Sequence, residues 1–102
     1  MPEVFGNYIN GEWVAGPAFE NRNPANTTEV VSRHALGTAE DVFRAAAAAQ
    51  EALPGWSRMN APARGALLNK VADLLDARFN DISAEMTREE GKTLPEAKGE
   101  VR

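Results

Sequence analysis

A stripe of large apolar residues runs through the second half of the chain and constrains its fold more than any other feature. The residues recur at steps of three and four, which predicts one long amphipathic helix with a face that needs a neighbour: Leu68, Val71, Leu75, Phe79, Ile82 and Met86. Asn60-Ala61-Pro62 favours the start of this helix and Gly91 the position just after its end. Asn80-Asp81 loosens the helix without shifting the phase of the stripe.

A second helix is predicted before this one. Thr38-Ala39-Glu40-Asp41 places a capping hydroxyl and two carboxylates where a helix begins. Apolar residues then recur at helical spacing, and Pro54-Gly55 predicts the end of the helix. The recurring residues are Val42, Ala46, Ala49 and Leu53.

The first third is rich in turn residues and predicts two hairpins. Tyr8–Val14 carries strand-favouring residues on either side of Asn10-Gly11, which suits a type I′ turn. Phe19–Arg22 is followed by the turn Asn23-Pro24-Ala25-Asn26, and Glu29–Leu36 is predicted to pair back onto it. An isolated hairpin is marginal in water, so both need a surface to lie against.

The end of the sequence resembles a helix start. Thr93-Leu94-Pro95-Glu96 combines a Thr cap, an early proline and a glutamate that completes a capping box, but the sequence stops at Arg102. A helix of that length needs packing partners to be stable. Truncation of a longer chain is favoured over the alternative, a short terminal helix that docks on the rest.

Composition excludes several classes of function. The chain has 102 residues, no cysteine and one histidine, which rules out disulfides, thiolate metal sites and a cysteine nucleophile within it. Its net charge of −4 is the wrong sign for phosphate-backbone binding, so no nucleic-acid partner is expected. No apolar run is long enough for a membrane span, and the first residues lack a secretory pattern. We therefore expect the protein to be cytoplasmic.

Nucleotide-binding loops are not encoded in these residues. Gly91-Lys92-Thr93 resembles the end of a phosphate-binding loop, but that motif needs a glycine where Met86 stands. A Gly-x-Gly-x-x-Gly turn is also absent from the sequence. No cofactor-binding residue is therefore predicted in this chain.

Single candidates for chemistry favour structural roles. His34 lies in a predicted strand with no acidic or hydroxyl neighbour obviously oriented towards it, which favours a surface or packing role over a catalytic one. Trp13 and Trp56 are expected to pack rather than to stack on a ligand. Glu89-Glu90 stands near a helix C-terminus, where carboxylates oppose the dipole, so this pair is expected to have a partner such as a cation or an arginine.

Several segments, in this order, carry a resemblance to a known family. They are Tyr8-Ile9-Asn10-Gly11-Glu12-Trp13, Asn23-Pro24-Ala25-Asn26, Gly55-Trp56, Arg64–Leu68, Ala72–Leu75 and the tail Glu89–Ala97. Together they resemble the N-terminal region of NAD(P)-dependent aldehyde dehydrogenases. The tail is most similar to the branch that oxidises semialdehydes such as α-ketoglutaric or succinic semialdehyde.

The resemblance implies an α/β parent fold with a Rossmann-type cofactor domain. This chain would be the N-terminal part of that domain, with β-hairpins over residues 5–36 and helices over residues 38–102, namely two long helices and the start of a third. The parent reaction is oxidation of an aldehyde to the carboxylic acid with NAD or NADP. The family's thiol nucleophile, general base and nicotinamide-binding turns lie downstream, so the chain alone is expected to be structural and inactive.

The resemblance also implies ligands and partners. Some members bind a structural Na⁺ or K⁺, for which the matching positions are the carbonyls of Asn21 and Arg22 with the carboxylate of Glu90. The expected partner is the remainder of a dehydrogenase chain, which forms homo-oligomers when intact.

Two alternatives stay open: a free-standing interaction module that docks on a partner subunit, and a small enzyme that uses His34 with a carboxylate.

Overall fold

The computed structural model describes residues 3–102, so the first two residues of the predicted domain lie outside it. Short strands come first and helices follow, as predicted. The strands are β1 (Val4–Phe5), β2 (Asn7–Ile9), β3 (Glu12–Val14), β4 (Ala18–Arg22) and β5 (Val30–Ala35). The helices are α1 (Ala39–Arg58), α2 (Ala61–Ala77), α3 (Phe79–Glu90) and α4 (Leu94–Val101).

The first predicted hairpin is confirmed. Strands β2 and β3 pair antiparallel, with Tyr8 opposite Trp13, and their ring centroids lie 4.9 Å apart. Asn10 and Gly11 have φ angles of 51° and 81°, the left-handed values that a type I′ turn requires at both central positions. Helix α1 packs against β2 and supplies the support that the hairpin needs.

The second hairpin is also present, but it belongs to a larger sheet. Strand β5 lies between β4 and β1 in a three-stranded sheet. The Leu36 amide donates to the Pro17 carbonyl at 2.6 Å where the β4–β5 hairpin opens. Strand β1 was not predicted, because two residues carry no periodicity; it pairs parallel to β5 with Val4 opposite Arg33.

Helix α1 begins where it was predicted and ends later. The Asp41 amide donates to Thr38 Oγ1 at 3.2 Å, and the Asp41 carboxylate accepts from the Thr38 amide at 2.9 Å, which is a capping box. The prediction that Pro54-Gly55 ends the helix is wrong, since α1 continues to Arg58. Proline lacks one N–H donor but keeps its carbonyl, and the Pro54 carbonyl accepts from Arg58 Nε at 3.0 Å in the following turn.

The long helix predicted from the apolar stripe is two helices, α2 and α3. The break falls at Arg78, whose φ of −109° and ψ of 17° are not helical. Its amide donates to the Leu75 carbonyl at 3.1 Å, an i to i−3 bond that tightens the end of α2. Asn80 and Asp81 then stand in the first turn of α3, where short polar side chains are better tolerated than in a helix interior.

Helices α3 and α4 pack closely through small side chains. Ser83 of α3 and Ala97 of α4 are both fully buried. Gly91 follows α3 with a φ of 74°, as predicted for the residue after this helix, and its amide donates to the Thr87 carbonyl at 2.9 Å. The predicted helix start at Thr93 is confirmed, because the Glu96 carboxylate accepts from the Thr93 amide at 3.0 Å.

The chain forms two compact units. Within the described residues, the first combines 3–21 with 32–60, and the second combines Arg22–Val31 with Ala61–Arg102. The first unit holds the β2–β3 hairpin and α1; the second holds the turn after β4 and helices α2 to α4. Across residues 3–102, no helix is both long and apolar enough to cross a membrane.

Candidate functional site

The turn after β4 in the second unit is built by Asn23. Its side-chain oxygen Oδ1 accepts from the Ala25 amide at 2.9 Å, which closes an Asx turn. Its carbonyl accepts from the Asn26 amide at 3.1 Å, and the Asn26 carbonyl accepts in turn from the Glu29 amide at 2.9 Å. Asn23 is buried, with 9% of its surface exposed, so the turn is fixed from inside by one side chain.

Glu29 connects this turn to helix α3. Its Oε2 accepts from Asn23 Nδ2 at 2.9 Å and its Oε1 accepts from Arg88 Nε at 2.7 Å. The hydrogen bonds from Asn23 and then from Arg88 lower the pKa of the Glu29 carboxyl below its ordinary value. The carboxylate therefore joins a loop to a helix that lies far away in the sequence.

Gly91 allows the turn to approach the end of α3. A Cβ atom at this position would lie 2.9 Å from Pro24 Cγ and 3.2 Å from the Ala25 nitrogen. The φ of 74° also favours glycine here, because a side chain is strained in the left-handed region. Both properties explain why the segment after α3 carries a glycine, and they bring the Asn-Pro turn and the Gly-Lys segment together.

Lys92 supplies the partner that was expected for the acidic pair at the end of α3. Its ammonium lies 2.6 Å from Glu90 Oε2, and it also donates to the carboxylate of Glu100 on α4. The contacts with Glu100 and then Glu90 raise the pKa of the Lys92 ammonium. Glu90 is thus paired with a cationic side chain of the same chain.

The three residues predicted for a monovalent cation have different surroundings. Asn21 lies in the first unit, where its Nδ2 donates to Ser32 Oγ at 3.5 Å. Arg22, in the second unit, donates from Nη1 to the Thr27 carbonyl at 3.1 Å, and Glu90 pairs with Lys92. No group of three or more histidine, cysteine, aspartate or glutamate side chains that could hold a metal ion occurs within residues 3–102.

His34 lies in an aromatic cluster of the first unit. Its ring centroid lies 5.7 Å from that of Phe5 and 5.9 Å from that of Phe19. Its Nε2 lies 2.8 Å from Ser32 Oγ, a hydroxyl neighbour that was not predicted although residues two apart share one face of a strand. These contacts are those of a packing histidine.

The second-unit contacts hold backbone segments in place and do not activate a nucleophile. In the sequence, the Asn-Pro turn and the Gly-Lys segment are recognisable as two separate motifs, whereas no local pattern predicts a role for Glu29 or Arg88. The signal available for Glu29 was its position six residues after Asn23, at the far end of the turn. Nothing in the sequence indicated that Arg88 would reach it.

The sequence matches a known family over most of its length. Residues 13–102 match the aldehyde dehydrogenase family. The chain is 47% identical over 98 residues to alpha-ketoglutaric semialdehyde dehydrogenase of Bacillus subtilis, covering 93% of this chain and 20% of that protein. It is 40% identical over 104 residues to alpha-ketoglutarate semialdehyde dehydrogenase of Haloferax volcanii, covering 99% of this chain and 22% of that protein.

The backbone leads to the same family. The fold matches the crystal structure of an NAD-dependent aldehyde dehydrogenase from Sinorhizobium meliloti with a TM-score of 0.90 and 30% identity. This match covers 99% of the present chain and 21% of that one. The chain thus spans about a fifth of the length of the relatives it matches. The predicted resemblance is confirmed, and the chain belongs to the aldehyde dehydrogenase family.

Proposed function

We propose that this chain is the N-terminal part of the cofactor-binding domain of an NAD(P)-dependent dehydrogenase. The complete enzyme would oxidise an aldehyde or semialdehyde to the carboxylic acid. The observation that carries the proposal is the family match over residues 13–102, combined with a backbone that follows an NAD-dependent dehydrogenase at a TM-score of 0.90. α-Ketoglutaric semialdehyde is the first substrate to test, because the Bacillus subtilis relative is named for it.

The role proposed for this region is structural. The chain contains no cysteine, so it holds no thiol that could add to an aldehyde carbon. What its residues do is fix backbone: Asn23 shapes the turn, Glu29 joins it to Arg88, and Gly91 lets the turn approach α3. In the complete enzyme these contacts would stabilise the edge of the domain that holds the dinucleotide.

A chimera tests the proposed function. The segment of the Bacillus subtilis relative that aligns with this chain is replaced by residues 1–102, and NADH and NADPH formation is followed with α-ketoglutaric and succinic semialdehydes. We expect a folded chimera that oxidises at least one of them, because the replaced region is 47% identical. A chimera with native spectra and oligomeric state but no turnover with any aldehyde would contradict the proposal.

The isolated chain provides the complementary measurement. We expect no NAD(P)H formation and no heat of NAD or NADP binding in calorimetry. Aldehyde-dependent NADH production by the purified 102-residue chain would overturn the structural role.

The cation predicted at Asn21, Arg22 and Glu90 stays a prediction. Its carboxylate already pairs with the Lys92 ammonium at 2.6 Å, so a Na⁺ or K⁺ must compete with that charge. One observation favours an additional ligand near this point: Thr87 Oγ1, one turn earlier on α3, is buried with no hydrogen-bond partner among the described residues.

Thermal unfolding in equal concentrations of KCl, NaCl and tetramethylammonium chloride tests this site. A bound cation raises the midpoint in one salt specifically, since ligands that bind only the native state stabilise it. Equal midpoints in all three salts would contradict the prediction and leave Lys92 as the sole cation at Glu90.

A further inference from the structure

Helix α2 carries an apolar face that the other described residues of the second unit leave exposed. The helix has no buried residue. Its large aliphatic side chains keep between 43% and 66% of their surface exposed. They are Leu67, Leu68, Val71, Leu74 and Leu75.

These side chains form one surface, which we call the α2 face. They recur at steps of three and four, so they lie on the same side of the helix. Asn69, Lys70, Asp73 and Asp76 fall at positions that point elsewhere. Single exposed apolar residues are ordinary on a protein surface, whereas five contiguous ones mark an interaction site.

The length of the relatives bears on what covers this face. The Sinorhizobium meliloti enzyme has the same backbone arrangement over 99% of this chain, and that part is only 21% of its own length. The exposed helix therefore does not arise from an unusual fold. About four-fifths of the length of such a relative lies outside the matching part, which is enough polypeptide to bury such a face.

We propose that the α2 face docks on the part of an aldehyde dehydrogenase polypeptide that lies beyond the region matched here. This inference rests on the proposed function. The contacting surface of that polypeptide is aliphatic and uncharged, because the α2 face offers no donor or acceptor to a buried polar group, and an unpaired polar group is costly to bury. The same argument excludes a charged partner at this face.

Fragment complementation tests the docking. The complete 102-residue chain is co-expressed with a tagged Bacillus subtilis relative that lacks its own aligned N-terminal segment, and both co-purification and semialdehyde oxidation are measured. Leu68→Asp with Leu74→Asp places two charges in the α2 face. Ala66→Asp with Asn69→Asp adds the same charges to the same helix on other sides and serves as the matched control.

We expect the wild-type chain and the control to co-purify with the tagged fragment. The Leu68→Asp, Leu74→Asp chain should bind at least about tenfold more weakly, because docking would bury both carboxylates. Circular dichroism and hydrogen exchange in α3 and α4 establish that each variant chain is folded. If the Leu-to-Asp variant is unfolded, Leu68→Ser with Leu74→Ser replaces it, and the same loss is expected.

The outcomes separate this inference from the proposed function. Activity restored equally by all folded variants would support the proposed function and overturn the α2 face as the docking surface. Binding that the α2 variants weaken, without any turnover, would support the docking surface while the proposed function fails. Absence of binding by the wild-type chain would overturn the docking. A homodimer of the wild-type chain that the Leu-to-Asp pair dissociates would also overturn it, because the occupant would be a second copy.

Discussion

Gly91 lies directly against Pro24, so that a Cβ atom on the glycine would stand 2.9 Å from the proline Cγ. The two residues come from two of the motifs that resemble those of the family, the Asn-Pro turn and the Gly-Lys segment. Their contact places these two motifs, which are far apart in the sequence, against each other in the folded chain. Glu29 and Arg88 reinforce the same joint with a bond of 2.7 Å.

Substituting Gly91 should weaken this joint. Gly91→Ala introduces a side chain at a φ of 74° and a contact with proline, so we expect a loss of about 1–2 kcal/mol in the free energy of unfolding. Urea unfolding followed by circular dichroism measures the change. Gly99→Ala is the matched control, because α4 leaves open space around Gly99 and alanine should there be neutral or stabilising. Equal effects of the two substitutions would contradict the role given to Pro24.

Glu29 should make stability depend on acid pH. Its lowered pKa means that its contribution is present above the ordinary pKa of 4.5 and is lost as pH falls through the lowered value. Glu29→Gln should therefore be less stable than the wild type at pH 7, and the difference should shrink as the pH falls below 4. Unfolding free energies measured from pH 7 to pH 3 provide the comparison. Glu51→Gln, on α1, is the control, and an unchanged gap at pH 3 would refute this account.

The hydroxyl of Thr38 should set the stability of the α1 start. Thr38→Ala removes the acceptor for the Asp41 amide, and loss of an N-cap costs about 1 kcal/mol. Thr38→Ser keeps the hydroxyl and should retain most of the stability. Thermal and urea unfolding of the three chains would show the order, and an alanine variant as stable as the serine one would exclude the cap as a stabilising contact.

Lys92 should stabilise the α3–α4 corner through its charge. Because its pKa is raised, Lys92 contributes fully to the stability of the fold at pH values below its ordinary pKa of 10.5. This contribution is lost only as the pH rises through the raised pKa, so measurements at pH 7 report all of it. Lys92→Met leaves Glu90 and Glu100 without their shared ammonium and should lower the thermal midpoint, more at low salt than at high salt. Lys92→Arg should recover part of the loss.

Lys70→Met is the matched control for the charge removed. It deletes the same ammonium from α2 at a position outside the corner. A midpoint lowered equally by both substitutions would mean that net charge, rather than the contacts with Glu90 and Glu100, stabilises the chain.

Local signals in the sequence determined the first hairpin and the starts of helices α1 and α4. Asn10-Gly11 specifies its turn because few other residues accept two positive φ angles, and Thr38 and Thr93 mark helix starts through bonds only three residues long. The ordered motifs also sufficed to indicate the family. Each of these features depends on residues that are close together in the sequence, so the sequence alone is sufficient to predict it.

Tertiary structure decided what depends on distant contacts. The apolar stripe keeps its phase through Arg78, so periodicity alone could not reveal the break between α2 and α3. The pairing of β1 with β5 and the bond from Arg88 to Glu29 join residues far apart in sequence, for which no local pattern exists. The sequence shows that Lys92 is a cation but not which carboxylates it pairs with. Its pairing with Glu90 and Glu100 depends on the turn at Gly91, because only the folded corner brings both carboxylates to one ammonium.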